Sequence, residues 1–312
     1  MGHAHPPRLC VTRTPCARSG AKGRSRSGSS AHVRQIWHRG GWVGAPRLAG
    51  VSEWRPPRRL RLSRAIAAAQ APVLLGQGRR LRRETPRLPD APLPWEGRVD
   101  GPGGEGGGSE RVLRLLVIGD STAAGVGVDH AELGLGGRLA EALSARTGRP
   151  VQWWAAGRNG ATARDLVRQC LAPALERPYD LVFLTVGAND ALALRSARAF
   201  RRDIRRILAR TFVAHPDTAL LMSSLPAFFR FRLLPDPLRR SLYRHSQALE
   251  REARALVDAH PRAHMSPPPP PYTEGFFASD DFHPSAIGYK DWADFAVDDA
   301  ESIGFLRLLD EH

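Results

Sequence analysis

Residues 111–121 read RVLRLLVIGDS, a short run of branched apolar residues that ends in a turn tripeptide. A run of this length and composition, preceded by glycine-rich sequence, predicts a buried β-strand. Ser121 then follows the carboxyl end of a strand, where open α/β sheets bind their ligands. Because the tripeptide alone is common in ordinary turns, Ser121 becomes a candidate nucleophile only in combination with other residues.

Two further apolar runs end in residues that can donate hydrogen bonds. Residues 151–155 (VQWWA) precede Gly160, and residues 180–186 (DLVFLTV) precede Asn189. The Asn189 amide can donate to a developing oxyanion, and a glycine lets the backbone approach a ligand with its N–H free. Each residue also has a simpler explanation, Asn189 as a turn residue and Gly160 as the residue before a helix that Thr162 caps.

Near the C-terminus, Asp280 and His283 stand three positions apart and Pro284 follows. This spacing places both side chains on one short turn, where the carboxylate can hold one imidazole nitrogen while the other faces Ser121. A hydroxyl needs such a base to become a nucleophile, and the oxyanion needs fixed donors. The combination predicts acyl transfer by a serine nucleophile.

In this order the motifs resemble those of the SGNH hydrolases, the GDSL-like esterase and lipase superfamily, over residues 113–296. The resemblance implies that Ser121 is the nucleophile, His283 the base and Asp280 its orienting acid. It also implies three oxyanion donors, which are the Ser121 N–H, the Gly160 N–H and the Asn189 side chain. Gly157 is a less suitable register for the glycine donor. The family often has glycine directly after the orienting aspartate, whereas this chain has Asp281, whose extra carboxylate could raise the pKa of the histidine.

The resemblance also implies a flavodoxin-like, three-layer α/β/α sandwich with a parallel five-stranded sheet in the order 2-1-3-4-5. In that order the first three strands are neighbours, so their carboxyl ends meet at one edge. The residues themselves favour α/β alternation. We expect helices at residues 135–147, 163–171, 195–212 and 238–260, a fourth strand at 219–222 and a weaker fifth at 262–266.

Positive charge is concentrated in the first part of the chain. Residues 1–110 carry 20 Lys and Arg against 7 Asp and Glu, so only +2 of the total charge of +15 belongs to the remaining 202 residues. We expect a disordered basic segment at 1–50, a basic segment with a short apolar helix and a Pro/Gly linker at 51–110, and a hydrolase domain at 111–312. Alternatively, part of the first segment is an over-extended reading of a GC-rich gene.

The apolar residues 65–76 (AIAAAQAPVLLG) lie between basic flanks and are too short to span a bilayer. If translation begins near Val51, they predict a signal peptide. The interpretation that we favour is a short amphipathic helix that docks on the domain or on a membrane surface. We therefore expect a cytoplasmic protein, with a peripheral or exported one as the alternative. Removing residues 1–105 is expected to leave esterase activity within a few-fold.

Clustered arginines can bind phosphates, but no zinc-finger or base-stacking pattern accompanies them, so we expect a small-molecule ester and no nucleic acid as partner. We also expect no cofactor and no metal, because the D-x-H and paired-histidine motifs of a metallophosphoesterase are missing. The expected substrates are short-chain or lipid-like carboxylic esters, for which several phenylalanines could line a pocket or simply pack in the core: Phe228, Phe229, Phe231, Phe276 and Phe277. The alternatives are a carbohydrate O-acetylesterase or a non-catalytic binding module.

Overall fold

The computed structural model describes residues 62–101 and 111–310, which belong to the second of two compact units, residues 48–312. The segment 1–50, expected to be disordered, lies outside the described residues, as does the possible translation start near Val51.

A six-stranded sheet forms the centre of the domain. Its strands are β1 (Glu96–Val99), β2 (Leu113–Gly119), β3 (Val151–Gly157), β4 (Leu181–Thr185), β5 (Ala219–Met222) and β6 (Ala263–Met265). The strand order is β1-β3-β2-β4-β5-β6, in which β1 runs antiparallel to β3 and every other pair is parallel. The five parallel strands therefore confirm the predicted order, with β2 in the centre.

The expected count of five strands is wrong by one, because β1 adds an antiparallel edge strand. It arises in the segment interpreted as a linker, upstream of residue 111. Its four residues, EGRV, contain no apolar run that would mark a strand by composition. The pairing of Glu96 with Trp154 and of Val99 with Val151 holds them in the sheet, and Val99 packs against the core. Tertiary contact thus decides this element.

Helices cover both faces of the sheet. They are α1 (Ser63–Ala69), α2 (Ala71–Glu84), α3 (Leu135–Thr147), α4 (Ala163–Asp165), α5 (Leu171–Ala174), α6 (Ala188–Leu192), α7 (Ala197–Ala214), α8 (Leu238–Val257) and α9 (Ala286–Ser302). A π-helical stretch, Leu166–Cys170, joins α4 to α5. The helix predicted at 195–212 begins at Ala197 instead, because the Ser196 side chain accepts from the Ala199 N–H and caps it.

Alternate residues of β2 supply two apolar cores, one on each face of the sheet. Leu116 and Ile118 belong to the core shared with α7 and α8, whereas Leu115 and Val117 belong to the core shared with α3 and α9. All four side chains are at most 1% exposed. Each such side chain contributes about 1.5–3 kcal/mol by leaving water, so β2 is firmly held at the centre.

The apolar segment near residue 70 forms α1 and α2, which together are longer than the predicted helix and pack on α8. Ser63, Gln70 and Gln77 are spaced seven residues apart and therefore share one helical face. They bond to His245, to Ser241, and to the Asp236 carbonyl and Leu238 N–H respectively. This face docks on the domain, as one of our two interpretations expected. Within the described part of the chain, no helix has both the length and the apolar composition to cross a membrane.

His245 is the buried end of this contact and is fully inaccessible to solvent. Its Nε2 lies 3.0 Å from the Arg195 carbonyl oxygen and its Nδ1 lies 3.0 Å from Ser63 Oγ. Because a carbonyl can only accept, Nε2 carries the hydrogen and Nδ1 accepts from the Ser63 hydroxyl. Burial lowers the pKa of His245, although the bond to Arg195 opposes this. A neutral histidine therefore connects α1 to α8.

This packing changes what we expect of truncation. A chain beginning at residue 62 should keep the melting temperature of the full-length protein, whereas one beginning at residue 111 should melt at least about 5 °C lower. The shorter chain loses β1 and the buried side chains of Ala67 and Leu74, and it leaves His245 Nδ1 without its donor. Differential scanning calorimetry measures both.

Ser63→Ala in the full-length chain is the single-residue version of this test, with an expected loss of about 1–3 kcal/mol of unfolding free energy. Equal melting temperatures for the two truncated chains would show that the helices contribute nothing to the stability of the domain.

Candidate active site

Ser121 lies just beyond the carboxyl end of the central strand and is 7% exposed. Its position depends on Gly119, the last residue of β2. A Cβ atom at Gly119 would lie 2.2 Å from the Thr185 carbonyl oxygen, so only glycine lets β2 approach β4 this closely. The turn that follows is closed by the Val126 N–H, which donates to the Ser121 carbonyl at 3.0 Å. The hydroxyl is thus held at the sheet edge by backbone geometry.

The structure brings Ser121, His283 and Asp280 together in one hydrogen-bonded line. His283 Nε2 lies 3.0 Å from Ser121 Oγ, and His283 Nδ1 lies 2.6 Å from Asp280 Oδ2. The other carboxylate oxygen of Asp280 accepts from the N–H groups of Phe282 and His283, at 3.0 and 2.9 Å. Those backbone bonds close the turn on which both side chains stand.

The electrostatics of this line determine the tautomer of His283. Burial alone would raise the pKa of Asp280, but hydrogen bonds from the His283 ring and from two backbone N–H groups together hold it below its usual value. Asp280 is therefore a carboxylate, which can only accept, so His283 Nδ1 carries a hydrogen. In the neutral form of the ring, the lone pair of Nε2 then faces the Ser121 hydroxyl, which is the arrangement that proton removal requires.

Asp281 has a separate, local explanation. Its φ is +52°, in the left-handed region that glycine adopts most easily and that aspartate tolerates. A glycine at this position in related sequences is therefore expected from the backbone alone. The Asp281 side chain is exposed, and the carboxylate that contacts His283 is that of Asp280.

Three N–H donors at the sheet edge are candidates for oxyanion binding. Asn189 Nδ2 donates to the Ala161 carbonyl at 3.0 Å, which orients the amide and leaves its second hydrogen free. Within residues 62–101 and 111–310, the N–H groups of Ser121 and Gly160 have no hydrogen-bond acceptor. Gly160 is exposed and has φ +78°, so a side chain there would strain the backbone.

Gly157, the alternative register for the glycine donor, has a packing role. A Cβ atom there would lie 2.5 Å from the backbone nitrogen of Ala124, in the turn that carries Ser121. Its absence of a side chain allows the end of β3 to contact this turn. Gly160 therefore remains our candidate donor.

Asp190 is a structural residue of the site that sequence reasoning passed over. It is fully buried, and its carboxylate accepts from the Ala163 N–H at 2.9 Å and from Arg195 at 2.7 Å. These bonds tie the Asn189 turn to the start of α4, next to Gly160. The only signal was its place directly after Asn189 in Gly-x-Asn-Asp.

A small pocket of about 80 Å³ lies beside Ser121 and His283. Its walls include six aromatic side chains besides His283, which are Phe231, Tyr272, Phe276, Phe277, Phe282 and Trp292. Of the phenylalanines considered as pocket residues, Phe228 is fully buried in the core and Phe229 packs on Tyr243. The pocket is therefore largely apolar, and its polar lining residues include Thr122, Thr185 and Ser223.

Asp120 is among the residues that line this pocket and is 3% exposed. Burial raises its pKa to about 6, although hydrogen bonds from the N–H and Oγ1 of Thr122, at 3.2 and 3.1 Å, oppose the shift. Thr122 Oγ1 is in turn 2.9 Å from Thr185 Oγ1. The network joins β2 to β4 directly behind the nucleophile candidate.

In the part of the chain that the structure describes, we find no site for metal binding or for thiol chemistry. No group of three or more His, Cys, Asp and Glu side chains there is arranged to hold a metal ion. Cys170 is half-buried on the π-helical stretch, and burial raises the pKa of its thiol. Cys10 and Cys16 lie outside the described residues.

The raised pKa of Asp120 makes stability depend on pH. Because the folded-state pKa of about 6 exceeds the ordinary 3.8, the folded protein binds this proton more tightly than the unfolded chain does. Its contribution to the unfolding free energy is complete below about pH 4 and falls as pH rises through about 6. In Asp120→Asn this fall should be absent. Between acid and neutral pH, the variant should therefore keep up to about 3 kcal/mol of unfolding free energy that the parent protein loses.

Urea unfolding of the parent protein and of Asp120→Asn at several pH values measures the difference. Asp281→Asn, a substitution of an exposed aspartate, is the matched control. Parallel pH profiles for the parent and Asp120→Asn would contradict the prediction.

Comparison with known proteins identifies the family. Residues 117–290 match the model of the GDSL-like Lipase/Acylhydrolase family, which is more than half of the chain. The GDSL-like esterase Rv1075c of Mycobacterium tuberculosis is 30% identical over 267 residues, covering 76% of this chain and 82% of that protein.

Solved structures with a similar backbone include the lipase Lip_vut3 from a goat rumen metagenome, at a TM-score of 0.49 and 16% identity, covering 63% of this chain and 99% of that one. A family 3 carbohydrate esterase of Clostridium thermocellum has a TM-score of 0.47 and 17% identity, covering 64% and 99%. The match to the family model and the similarity to the mycobacterial relative show that this chain belongs to the GDSL-like lipase/acylhydrolase family.

Proposed function

We propose that this protein is a serine esterase that hydrolyses small carboxylic esters through an acyl-enzyme, with Ser121 as nucleophile, His283 as general base and acid, and Asp280 as the orienting carboxylate. The observation that carries the proposal is the continuous line from Ser121 Oγ to His283 Nε2, 3.0 Å, and from His283 Nδ1 to Asp280, 2.6 Å. Both distances suit proton transfer and ring orientation without rearrangement.

In the first half-reaction Ser121 Oγ attacks the ester carbonyl carbon while its proton moves to His283 Nε2. The tetrahedral oxyanion accepts hydrogen bonds from the N–H groups of Ser121 and Gly160 and from Asn189. His283 then gives its proton to the alcohol oxygen as the carbon–oxygen bond breaks. The alcohol leaves, and the acyl group remains on Ser121.

In the second half-reaction water replaces the alcohol. His283 removes a proton from water as the oxygen attacks the acyl carbon, and it returns the proton to Ser121 Oγ when the acyl–enzyme bond breaks. Asp280 remains ionised throughout and stabilises the imidazolium at each proton transfer. The lowered pKa of Asp280 supports this role.

A short acyl group is the part of the substrate that the small pocket supports best. Its volume of about 80 Å³ is small beside the roughly 300–1,000 Å³ of pockets that hold drug-sized ligands. Aromatic walls suit an apolar occupant. We therefore propose acetyl to butyryl esters in preference to long acyl chains.

Ser121→Ala should lower kcat/KM for p-nitrophenyl acetate by at least about 10⁴-fold, because the nucleophile is lost while folding is retained. A serine-directed phosphonate should label the parent protein at Ser121 alone, as peptide mapping by mass spectrometry would show. Ser246→Ala removes another buried hydroxyl, on α8, and is the control for folding. Full activity in Ser121→Ala would refute the serine mechanism.

The acyl pocket predicts a steep dependence on chain length. Along p-nitrophenyl acetate, butyrate, octanoate and laurate, kcat/KM should fall by more than about tenfold beyond butyrate, because overfilling a packed pocket costs about 1–3 kcal/mol. Acetylated xylan, assayed in parallel, examines the carbohydrate alternative. A maximum at laurate would exclude the short-chain proposal, and faster release of acetate from xylan than from p-nitrophenyl acetate would favour the carbohydrate esterase.

A further inference from the structure

A second, much larger cavity, the helix groove, lies between α1–α2 and the start of α8. Its volume is about 1250 Å³. Asp280, Phe282 and His283 are among the residues that line it, and Phe282 and His283 also line the small pocket. The two cavities therefore share the histidine that contacts Ser121, so an ester held at Ser121 has one cavity available to each of its two parts.

We propose that the helix groove binds the alcohol part of the ester, and that this alcohol is an apolar group bearing an anionic substituent such as a phosphate, sulfonate or carboxylate. The inference rests on the serine esterase function proposed above. In that mechanism His283 delivers its proton to the alcohol oxygen, so the alcohol must leave on a side that His283 faces. The helix groove is on such a side and has room for a large group, whereas the small pocket does not.

The apolar character of the alcohol follows from the groove walls. Leucines of α2 face leucines at and before the start of α8 across the groove, and Leu192 adds to them. Leu75 and Leu192 are 58% and 44% exposed, although both line a concave surface. Large apolar side chains left uncovered in a concavity mark a binding site for an apolar ligand.

The anionic substituent follows from the charges. Four arginines line the helix groove, namely Arg64, Arg79, Arg82 and Arg87. All four are exposed, and within residues 62–101 and 111–310 none of them has an ion pair. The only acidic residue among the lining residues is Asp280, which is buried and already bonded to His283. Such a surface attracts an anion.

Two other arginines of α2, Arg80 and Arg83, do not line the helix groove. Arg80 points to Glu84 at 2.9 Å and forms an ordinary surface ion pair. Arg83 is exposed and is not among the lining residues of the helix groove. Arg79 and Arg82, three positions apart on α2, therefore line the groove while Arg83 of the same helix does not, and Arg83 provides a matched control.

Two acetate esters that differ by one sulfonate test the proposal: 2-naphthyl acetate and 6-acetoxynaphthalene-2-sulfonate. In the full-length protein, kcat/KM for the sulfonate should exceed that for the neutral ester after correction for spontaneous hydrolysis. The double variant Arg79→Gln/Arg82→Gln should lose about 3–10-fold on the sulfonate, mainly through KM, and stay within about twofold on the neutral ester. Raising NaCl from about 0.05 to 0.5 M should reduce the preference in the parent protein.

Arg83→Gln should leave both esters unchanged, and circular dichroism checks the folding of each variant. Equal losses on the two esters, or none on the sulfonate, would overturn the helix groove as an anion-binding alcohol site. Ser121→Ala, assayed with the same pair, separates this failure from a failure of the proposed function. If the serine is required but the arginines are not, only the inference about the groove falls.

Discussion

The proposed active site depends on the parallel pairing of β2 with β3 on one side and β4 on the other. Gly119 pairs with Gly157 and with Thr185, so the three strands end at the same level. The residues that follow each strand therefore emerge at one edge, although they are distant in the chain. At the opposite end of the same pair, the buried Asp180 carboxylate accepts from the Arg114 N–H at 2.8 Å and fixes the register of β2 against β4.

Buried polar groups then turn this shared edge into a rigid site. Burying a carboxylate is costly unless it is paired and hydrogen-bonded. Asp190 meets this condition through Arg195 and the Ala163 N–H, and Asp280 meets it through His283 and two backbone N–H groups. Burial nevertheless raises the pKa of both Asp190 and Asp120, and the hydrogen bonds of each carboxylate oppose the shift. Asp190 thereby joins two segments that are distant in the chain, whereas Asp280 closes the turn that carries His283. The donor and base candidates are positioned as a consequence.

The N-terminal helices extend the site beyond the sheet. Polar residues at a seven-residue spacing attach these helices to the domain. A search of the sequence for apolar periodicity alone does not detect such residues. Ser63 reaches the buried His245, and His245 contacts the carbonyl of Arg195, whose side chain pairs with Asp190. The same helices line the helix groove, and so does His283. A segment that resembles a separate basic head in composition is thus part of the surroundings of the proposed active site.

The sequence by itself determined the alternation of strands and helices, since the apolar runs ending at Gly119 and Gly187 and the helical spacing of residues 135–147 are local properties of the chain. It also marked Ser121, Asn189, Asp280 and His283, because short-range spacing and strand ends carry that information. Only the tertiary structure decided the sixth strand, the docking of α1 and α2, and the unpaired arginines of the helix groove. These depend on contacts between residues that are more than fifty positions apart, and no local pattern encodes such contacts.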